Sequence, residues 1–364
     1  MKARELFAAL VALPREAGTA AATAARGLLT RHLTELGYEV RELRFTFQPS
    51  SLNAFPLLGA GLGWLTLLEI PLLLVGTLPG LLAPLVWWAG ATALGLLAWG
   101  IGAGVEVPGA ERREDANLVA TRGNGPVRRW IVAHVDTKAQ GHSMAGRLLA
   151  VWVMILAGLA MSGLSLWRTV SGAQLPGAAV AAAAGLSVAA GALAGRGRLR
   201  GSSPGARDNG TGLFAALIAA EVARDDGVGF LFTGAEEFGL VGARAFLRDG
   251  GTLGAVEVLN LDTLTDRGDL YLVAHDARGR ILAEELLPAF LLAAPRVVVR
   301  RLPLGIMTDS LPLARAGSRA VTLARLDWSD LRRLHTPADT TEDLGLGTAE
   351  AVGRAVGALP LDRR

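Results

Sequence analysis

The chain has 364 residues, more than one small core requires, so two structural units or one large unit with insertions are expected. Apolar residues make up 51% and charged residues only 19%, where soluble domains carry about 25% charge; Ala, Leu, Val and Gly supply the apolar share, a mixture suited to helices packed in lipid. A net charge of +3 without a clustered basic stripe argues against a nucleic-acid partner, and the lack of cysteine excludes disulfides and thiolate metal sites, leaving His and carboxylates for any transition metal.

Residues 2–35 read as an amphipathic helix. Its apolar run, Leu6 to Leu13, is short, and Glu5 before it and Pro14-Arg15-Glu16 after it argue against a cleaved signal peptide. Val40–Phe47 alternates apolar and polar residues at period two and predicts a strand. From Ala54 to Val105 the only charge is Glu69. Pro79-Gly80 divides that stretch into spans near Leu57–Thr77 and Leu81–Ile101, each close to the ~20 residues a bilayer requires. Asn117–Arg122 alternates again, and Trp130–His134 is a short apolar run that fits a buried strand. From Leu148 to Gly195 the only charge is Arg168, with a break at Ser171-Gly172 between spans near Leu148–Trp167 and Pro176–Ala194. Each apolar stretch reads as a helical hairpin; the other reading is buried helices of a large soluble protein.

The remainder alternates helix and strand. Residues 211–224, Gly239–Leu247, Gly279–Ala293 and Thr348–Leu359 predict helices. Val228–Thr233, Val256–Leu261, Leu270–Ala274, Val297–Arg301 and Arg319–Leu326 predict strands. The pattern implies an α/β domain with a largely buried sheet, discontinuous over 1–52, 106–147 and 196–364, with transmembrane hairpins inserted at 54–105 and 148–195. A lipid bilayer is then an expected partner.

Polar residues at strand ends carry the chemical information. Ile131-Val132-Ala133 leads into His134-Val135-Asp136, where side chains two apart on a strand share a face and the Asp can orient the imidazole. Taken alone, a structural histidine is an equal reading. Gly205-Ala206-Arg207-Asp208-Asn209-Gly210 precedes a helix and by itself fits a capped turn. Phe230-Leu231-Phe232 runs into Glu236-Glu237, adjacent carboxylates that are costly at the mouth of a buried strand unless a cation lies beside them. Asp262 follows the apolar Leu259-Asn260-Leu261, and His335-Thr336-Pro337-Ala338-Asp339 sets a His in a loop. Imidazole and oxygen ligands of this kind suit zinc.

In this order the segments (His-x-Asp, Gly-Ala-x-Asp-Asn, Glu-Glu-x-Gly-Leu-x-Gly, Asn-x-Asp, His-Thr-Pro-x-Asp) resemble the co-catalytic two-zinc aminopeptidase family, which includes glutamate carboxypeptidases and glutaminyl cyclases. The resemblance covers roughly residues 1–52, 106–146 and 200–360. It implies a zinc-exopeptidase fold, with a central, mostly buried mixed sheet flanked by helices, and two Zn²⁺ per chain. His134 and Asp262 would ligate one zinc, Glu237 and His335 the other, and Asp208 would bridge them. Glu236 matches the general base and Asp136 the residue supporting the ligand His; the Asp208–Asn209 peptide would be cis. The implied function is a membrane-bound exopeptidase, an aminopeptidase acting on peptides. A glutaminyl-cyclase-like acyl transferase and a membrane scaffold with a vestigial enzyme domain are the competing readings.

Four details depart from the family pattern or fall outside it. After Asp-Asn the usual small residues are Ala-Ser-Gly, and here they are Gly210-Thr211-Gly212, a mild change. Arg207 before Asp208 would place a cation near the metals or anchor a substrate carboxylate. Met307-Thr308-Asp309-Ser310 resembles the substrate-side loop without the His commonly following its Asp. His32, His142 and His275 match nothing and read as surface or loop residues. Finally, Arg41, Arg44, Arg112, Arg113, Lys138, Arg147, Arg196, Arg198 and Arg200 flank the spans on the domain side, while the hairpin tips carry Arg168. That asymmetry predicts a catalytic domain facing the cytoplasm.

Overall fold

The computed structural model describes residues 2–75, 81–105, 107–173, 175–250, 256–303 and 305–361. They form two compact units: Met1–Pro49 with Glu111–Ala139 and Gly201–Arg364, and Ser50–Ala110 with Gln140–Arg200.

The first unit is built on eight strands: β1 (Glu39–Phe47), β2 (Arg113–Thr121), β3 (Arg129–His134), β4 (Val228–Thr233), β5 (Glu257–Leu264), β6 (Leu270–Ala274), β7 (Val297–Arg300) and β8 (Arg319–Arg325). Their order is β1-β2-β4-β3-β5-β8-β6-β7. β4, β3, β5 and β8 run parallel, while β2 pairs antiparallel with β1 and β4, and β6 antiparallel with β8. Every residue of β3 and β4 is buried, as expected of central strands covered on both faces and written as continuous apolar runs. The parallel set delivers its C-terminal ends to one edge of the sheet, where open α/β sheets bind ligands. His134 and Thr233 are register partners there.

The helices of the chain are α1 (Ala3–Val11), α2 (Ala20–Glu35), α3 (Ala54–Leu74), α4 (Leu82–Ala103), α5 (Met144–Ser171), α6 (Gly177–Gly195), α7 (Gly212–Val222), α8 (Val241–Arg248), α9 (Ala277–Leu286), α10 (Ser310–Arg315), α11 (Trp328–Leu331) and α12 (Gly347–Ala358). In the first unit α7 is buried over most of its surface, because α12 covers it at close range. A Cβ on Gly353 would meet the Ala215 carbonyl oxygen at 2.4 Å. The single helix expected over 2–35 is two helices. Pro14 cannot continue the first, and Thr19 caps the second by accepting from the Ala22 amide at 3.3 Å. Between them Arg15 is buried and donates to the carbonyls of Leu10, Val135, Pro204 and Gly205. The helix expected over 279–293 ends earlier, at Leu286, and Leu287–Phe290 is a 3₁₀ turn containing Pro288.

The second unit contains α3 to α6, each long and apolar enough to cross a bilayer, with mean hydropathy of 1.8, 1.5, 2.1 and 1.8 in chain order. Their exposed side chains include Trp64, Leu68, Leu96, Trp99, Trp152, Leu159 and Val170, which does not suit the reading of buried helices in a soluble core. Small residues bring helices together: a Cβ on Gly59 of α3 would lie 2.4 Å from the Ala194 Cβ of α6. α5 is longer than expected because Ser143 caps its start and Gly172, at φ 60°, ends it. The expected turn at Pro79-Gly80, and Thr77 before it, lie outside the described residues.

Candidate metal centre

At the C-terminal edge of the parallel strands, five segments present the candidate side chains, and buried hydrogen bonds fix most of them. β3 ends at His134, whose ring Nδ1 lies 3.0 Å from the Asp136 backbone carbonyl. Donation from Nδ1 to that carbonyl leaves the Nε2 lone pair facing the other ligands. The Asp136 carboxylate was expected behind the imidazole; its Oδ1 is 3.7 Å from Nδ1. It instead accepts from the Glu236 amide at 3.0 Å and the Glu237 amide at 3.1 Å. The strand stops at His134, so two-residue alternation no longer governs Asp136, and two otherwise orphaned amides claim both its oxygens.

The Asp208 turn is fixed in a similar way. Asp339 accepts from the Arg207 amide at 2.8 Å and the Asp208 amide at 3.1 Å. Asn209 donates to the Leu261 carbonyl at 2.8 Å and accepts from the Thr263 amide at 3.1 Å, joining this turn to β5. The Asp208–Asn209 peptide is cis. On β5 the ladder to β8 shifts register between Leu261 and Leu264, which frees Asp262 from regular pairing. Ala235 before the Glu pair, Thr263 after Asp262, and His335 have φ of 49°, 55° and 62°. Left-handed backbone at non-glycine residues costs on the order of 1 kcal/mol each and clusters at functional sites.

These turns bring six candidates together. Asp208 points one oxygen at each imidazole: Oδ1 is 3.1 Å from His134 Nε2, and Oδ2 is 3.1 Å from His335 Nε2. Asp262 Oδ1 lies 3.9 Å from His134 Nε2, and Glu237 Oε1 3.2 Å from His335 Nε2. Among the described residues two groups have donor atoms mutually within 4.8 Å: Asp208, Glu237 and His335, and His134, Glu236 and Asp262. Glu236 thus reaches the His134 group as well. Asp208 still makes the shorter approach to that imidazole, so both carboxylates border it.

The electrostatics call for cations. Asp136, Asp208, Glu236, Glu237, Asp262 and Asp309 stand against two imidazoles, the Lys138 ammonium and the Arg15 guanidinium, whose charge acts on Asp136 and Asp208. Burial pushes Glu236 well above the ordinary carboxylate range, and the charges of Glu237, Asp309 and Asp262 add to it against His134. Burial likewise pushes Asp309 up to about 7, although its Oδ2 accepts from Thr233. Glu237 moves the other way: burial raises it, but His335 and Lys138 more than offset this and hold it at about 2. Glu237 Oε1 is buried without a hydrogen-bond donor. A buried, donor-poor set of carboxylate oxygens and imidazole nitrogens, free of thiolates, fits divalent-cation binding.

Sequence reasoning missed Lys138 and did not foresee that Asp309 sits beside Glu236. Arg207 supplies no cation to the centre; it is buried, its side chain donating to Asp330 and to the carbonyls of Thr340 and Glu342. Two of the histidines read as surface or loop residues are packed in. His32 is buried 3.6 Å from Glu221, and His275 bonds Ser310 at 2.7 Å and is pushed down to about 4 by burial.

Residues 187–359 match the family model described as Peptidase family M28. That stretch, just under half of the chain, is similar to the M28 peptidases. His134 and Asp136 lie before the matched stretch, so their place in the centre rests on the geometry above. Solved structures similar to this chain include a glutaminyl cyclase from Fimbriiglobus ruber, at 15% identity and TM-score 0.56 over 98% of this chain and 92% of that one. A zinc aminopeptidase from Bacillus subtilis has 13% identity and TM-score 0.53, covering 98% and 94%. An aminopeptidase from Aneurinibacillus sp. strain AM-1 has 15% identity and TM-score 0.54, covering 98% and 92%. At these identities the likeness is one of fold. No curated protein matches the chain.

Proposed function

We propose that this protein is a membrane-embedded, two-zinc exopeptidase that removes residues from the N-terminus of peptides. The observation that carries the reading is Asp208, with one oxygen 3.1 Å from each of two imidazoles that belong to separate donor groups. His134, Asp208 and Asp262 would hold one zinc, and Asp208, Glu237 and His335 the other. Zinc bound there supplies Lewis-acid chemistry toward water and a scissile carbonyl.

The chain's own residues supply the rest. Glu236 is held by its amide on Asp136 and borders the donor group of His134 and Asp262, positioned to take a proton from the attacking water and return it to the leaving amine. Asp136 and Asp339 keep the Glu236-Glu237 and Asp208 turns in place, so the carboxylates need no rearrangement before reaction. The carboxylate excess favours a substrate with a free α-ammonium group, which supports cleavage at the N-terminus.

Membrane embedding is supported by the four long apolar helices and by the Leu and Trp side chains they expose. The even number of spans and the basic residues beside their ends support a domain facing the cytoplasm.

The test uses detergent-purified full-length protein and three substrates: an aminoacyl anilide, its N-acetylated form, and a peptide with N-terminal glutamine. Release of anilide from the free amine alone is expected. Cyclisation of the glutaminyl peptide without hydrolysis would move the protein to acyl transfer, and inactivity with metal bound would favour a scaffold.

A further inference from the structure

Lys138 lies four residues beyond His134 on the turn that leaves β3. Its side chain is 3% exposed, and its Nζ is 2.7 Å from Glu237 Oε2 and 3.4 Å from the Glu237 carbonyl. The backbone leading to it is fixed, since the Thr137 amide donates to the Arg15 carbonyl and the Thr137 hydroxyl to the Ser203 carbonyl, both at 3.1 Å. The other Glu237 oxygen, Oε1, faces His335 Nε2 at 3.2 Å and receives no hydrogen bond. The two oxygens of one carboxylate are therefore divided between an ammonium and the candidate metal group.

A carboxylate that is otherwise free can offer a cation one oxygen or both. An ammonium on Oε2 removes the second choice, and as a compact point charge it also opposes any cation bound at Oε1. Burying a charged lysine where an apolar side chain would fill the same space is costly. Its position against one ligand oxygen suggests what that charge does.

We propose that Lys138 is a positioning residue that confines Glu237 to single-oxygen ligation and keeps the metal held by Asp208, Glu237 and His335 weaker than the one held by His134, Asp208 and Asp262. This rests on the two-metal reading above. In the native protein the second metal is then the exchangeable one. Loss of the charge tightens that site, a direction opposite to the one expected of a residue that merely props up the fold.

The experiment titrates metal-free, detergent-purified full-length protein with Co²⁺, following calorimetric affinity and visible absorption, for wild type, K138M, K138Q and K138R. Wild type and K138R are expected to take up two equivalents in separate steps. In K138M the weaker step should tighten by about tenfold or more, from removal of a like charge close to the ion, and its absorption band should lose intensity as a second Glu237 oxygen joins. K138Q retains a donor for Oε2 without the charge, so its affinity should rise while the band stays as in wild type; it also serves if K138M does not fold. A weaker step unchanged or loosened in the folded variants, with native circular dichroism, overturns the assignment of Lys138 alone. Wild-type protein that takes up no second equivalent overturns the two-metal reading and this assignment with it.

Discussion

Replacing Asp136 tests whether its carboxylate supports the Glu236-Glu237 turn or the imidazole of His134. Both its oxygens are spent on buried amides, Glu236 N at 3.0 Å and Glu237 N at 3.1 Å, whereas its approach to the ring is 3.7 Å. In D136A two buried N–H groups lose their acceptor; at about 2 kcal/mol for each unsatisfied donor, the loss is about 4 kcal/mol. D136N keeps one carbonyl oxygen and loses about half of that. In a unit of this size 1 kcal/mol moves the midpoint by about 2–4 °C, so D136A should melt roughly 8–16 °C lower and D136N roughly 4–8 °C lower. The assay is thermal unfolding of the metal-free protein in detergent, followed by near-ultraviolet circular dichroism. Equal midpoints for both variants and wild type, together with selective loss of the metal nearest His134 on reloading, would refute the reasoning and return Asp136 to a role behind the imidazole.

E236Q should retain both metals while turnover falls on the order of 10²–10⁴-fold, since only the proton acceptor is removed; metal content and steady-state rates decide it. E237Q should instead lose metal from the His335 group, and equal metal loss in the two variants would erase the division of roles. Asp266 accepts from the Gly347 and Thr348 amides at the start of α12. Burial raises its pKa, but these amide bonds and the Thr348 hydroxyl outweigh that and hold it below the usual carboxylate value. Its stabilisation is therefore complete above the unfolded pKa and lost as pH falls through the lowered folded one. D266N should cost about 1 kcal/mol at pH 7 and progressively less in denaturation series run below pH 4. For orientation, a C-terminal reporter should be protected in intact cells and one at Gly80 accessible to protease; the reverse pattern would place the domain outside.

The parts of this fold that were legible in the sequence share a physical cause. β3 and β4 are buried on both faces, so they are written as uninterrupted apolar runs, and His134 and Glu236 stand out because a polar side chain closes or follows such a run. The order of the strands was not legible, since the placement of β4 between β2 and β3 depends on long connections that leave no local pattern. Nor does sequence distinguish a buried cation from a solvated one. Lys138, Arg15 and Arg207 each sit in polar, turn-rich stretches, yet each is buried against carbonyls or carboxylates supplied from distant segments. The amides held by the Asp136 carboxylate were not legible for a different reason: its spacing from His134 is read as strand alternation, which stops because β3 ends at His134. Asp309 carries no signal beyond a loose likeness in its loop, and only the folded chain places it next to Glu236 and Thr233.

In the proposed two-metal centre His134 and His335 hold separate ions and Asp208 is shared between them. Metal content by mass spectrometry, measured on purified wild type, H134A, H335A and D208A alongside peptide hydrolysis, addresses this arrangement most directly. Two zinc ions per chain are expected in wild type, about one in each histidine variant, fewer than one in D208A, and hydrolysis that disappears with chelation and returns with zinc. Full activity in metal-free protein, or two zinc ions retained by D208A, would contradict that arrangement.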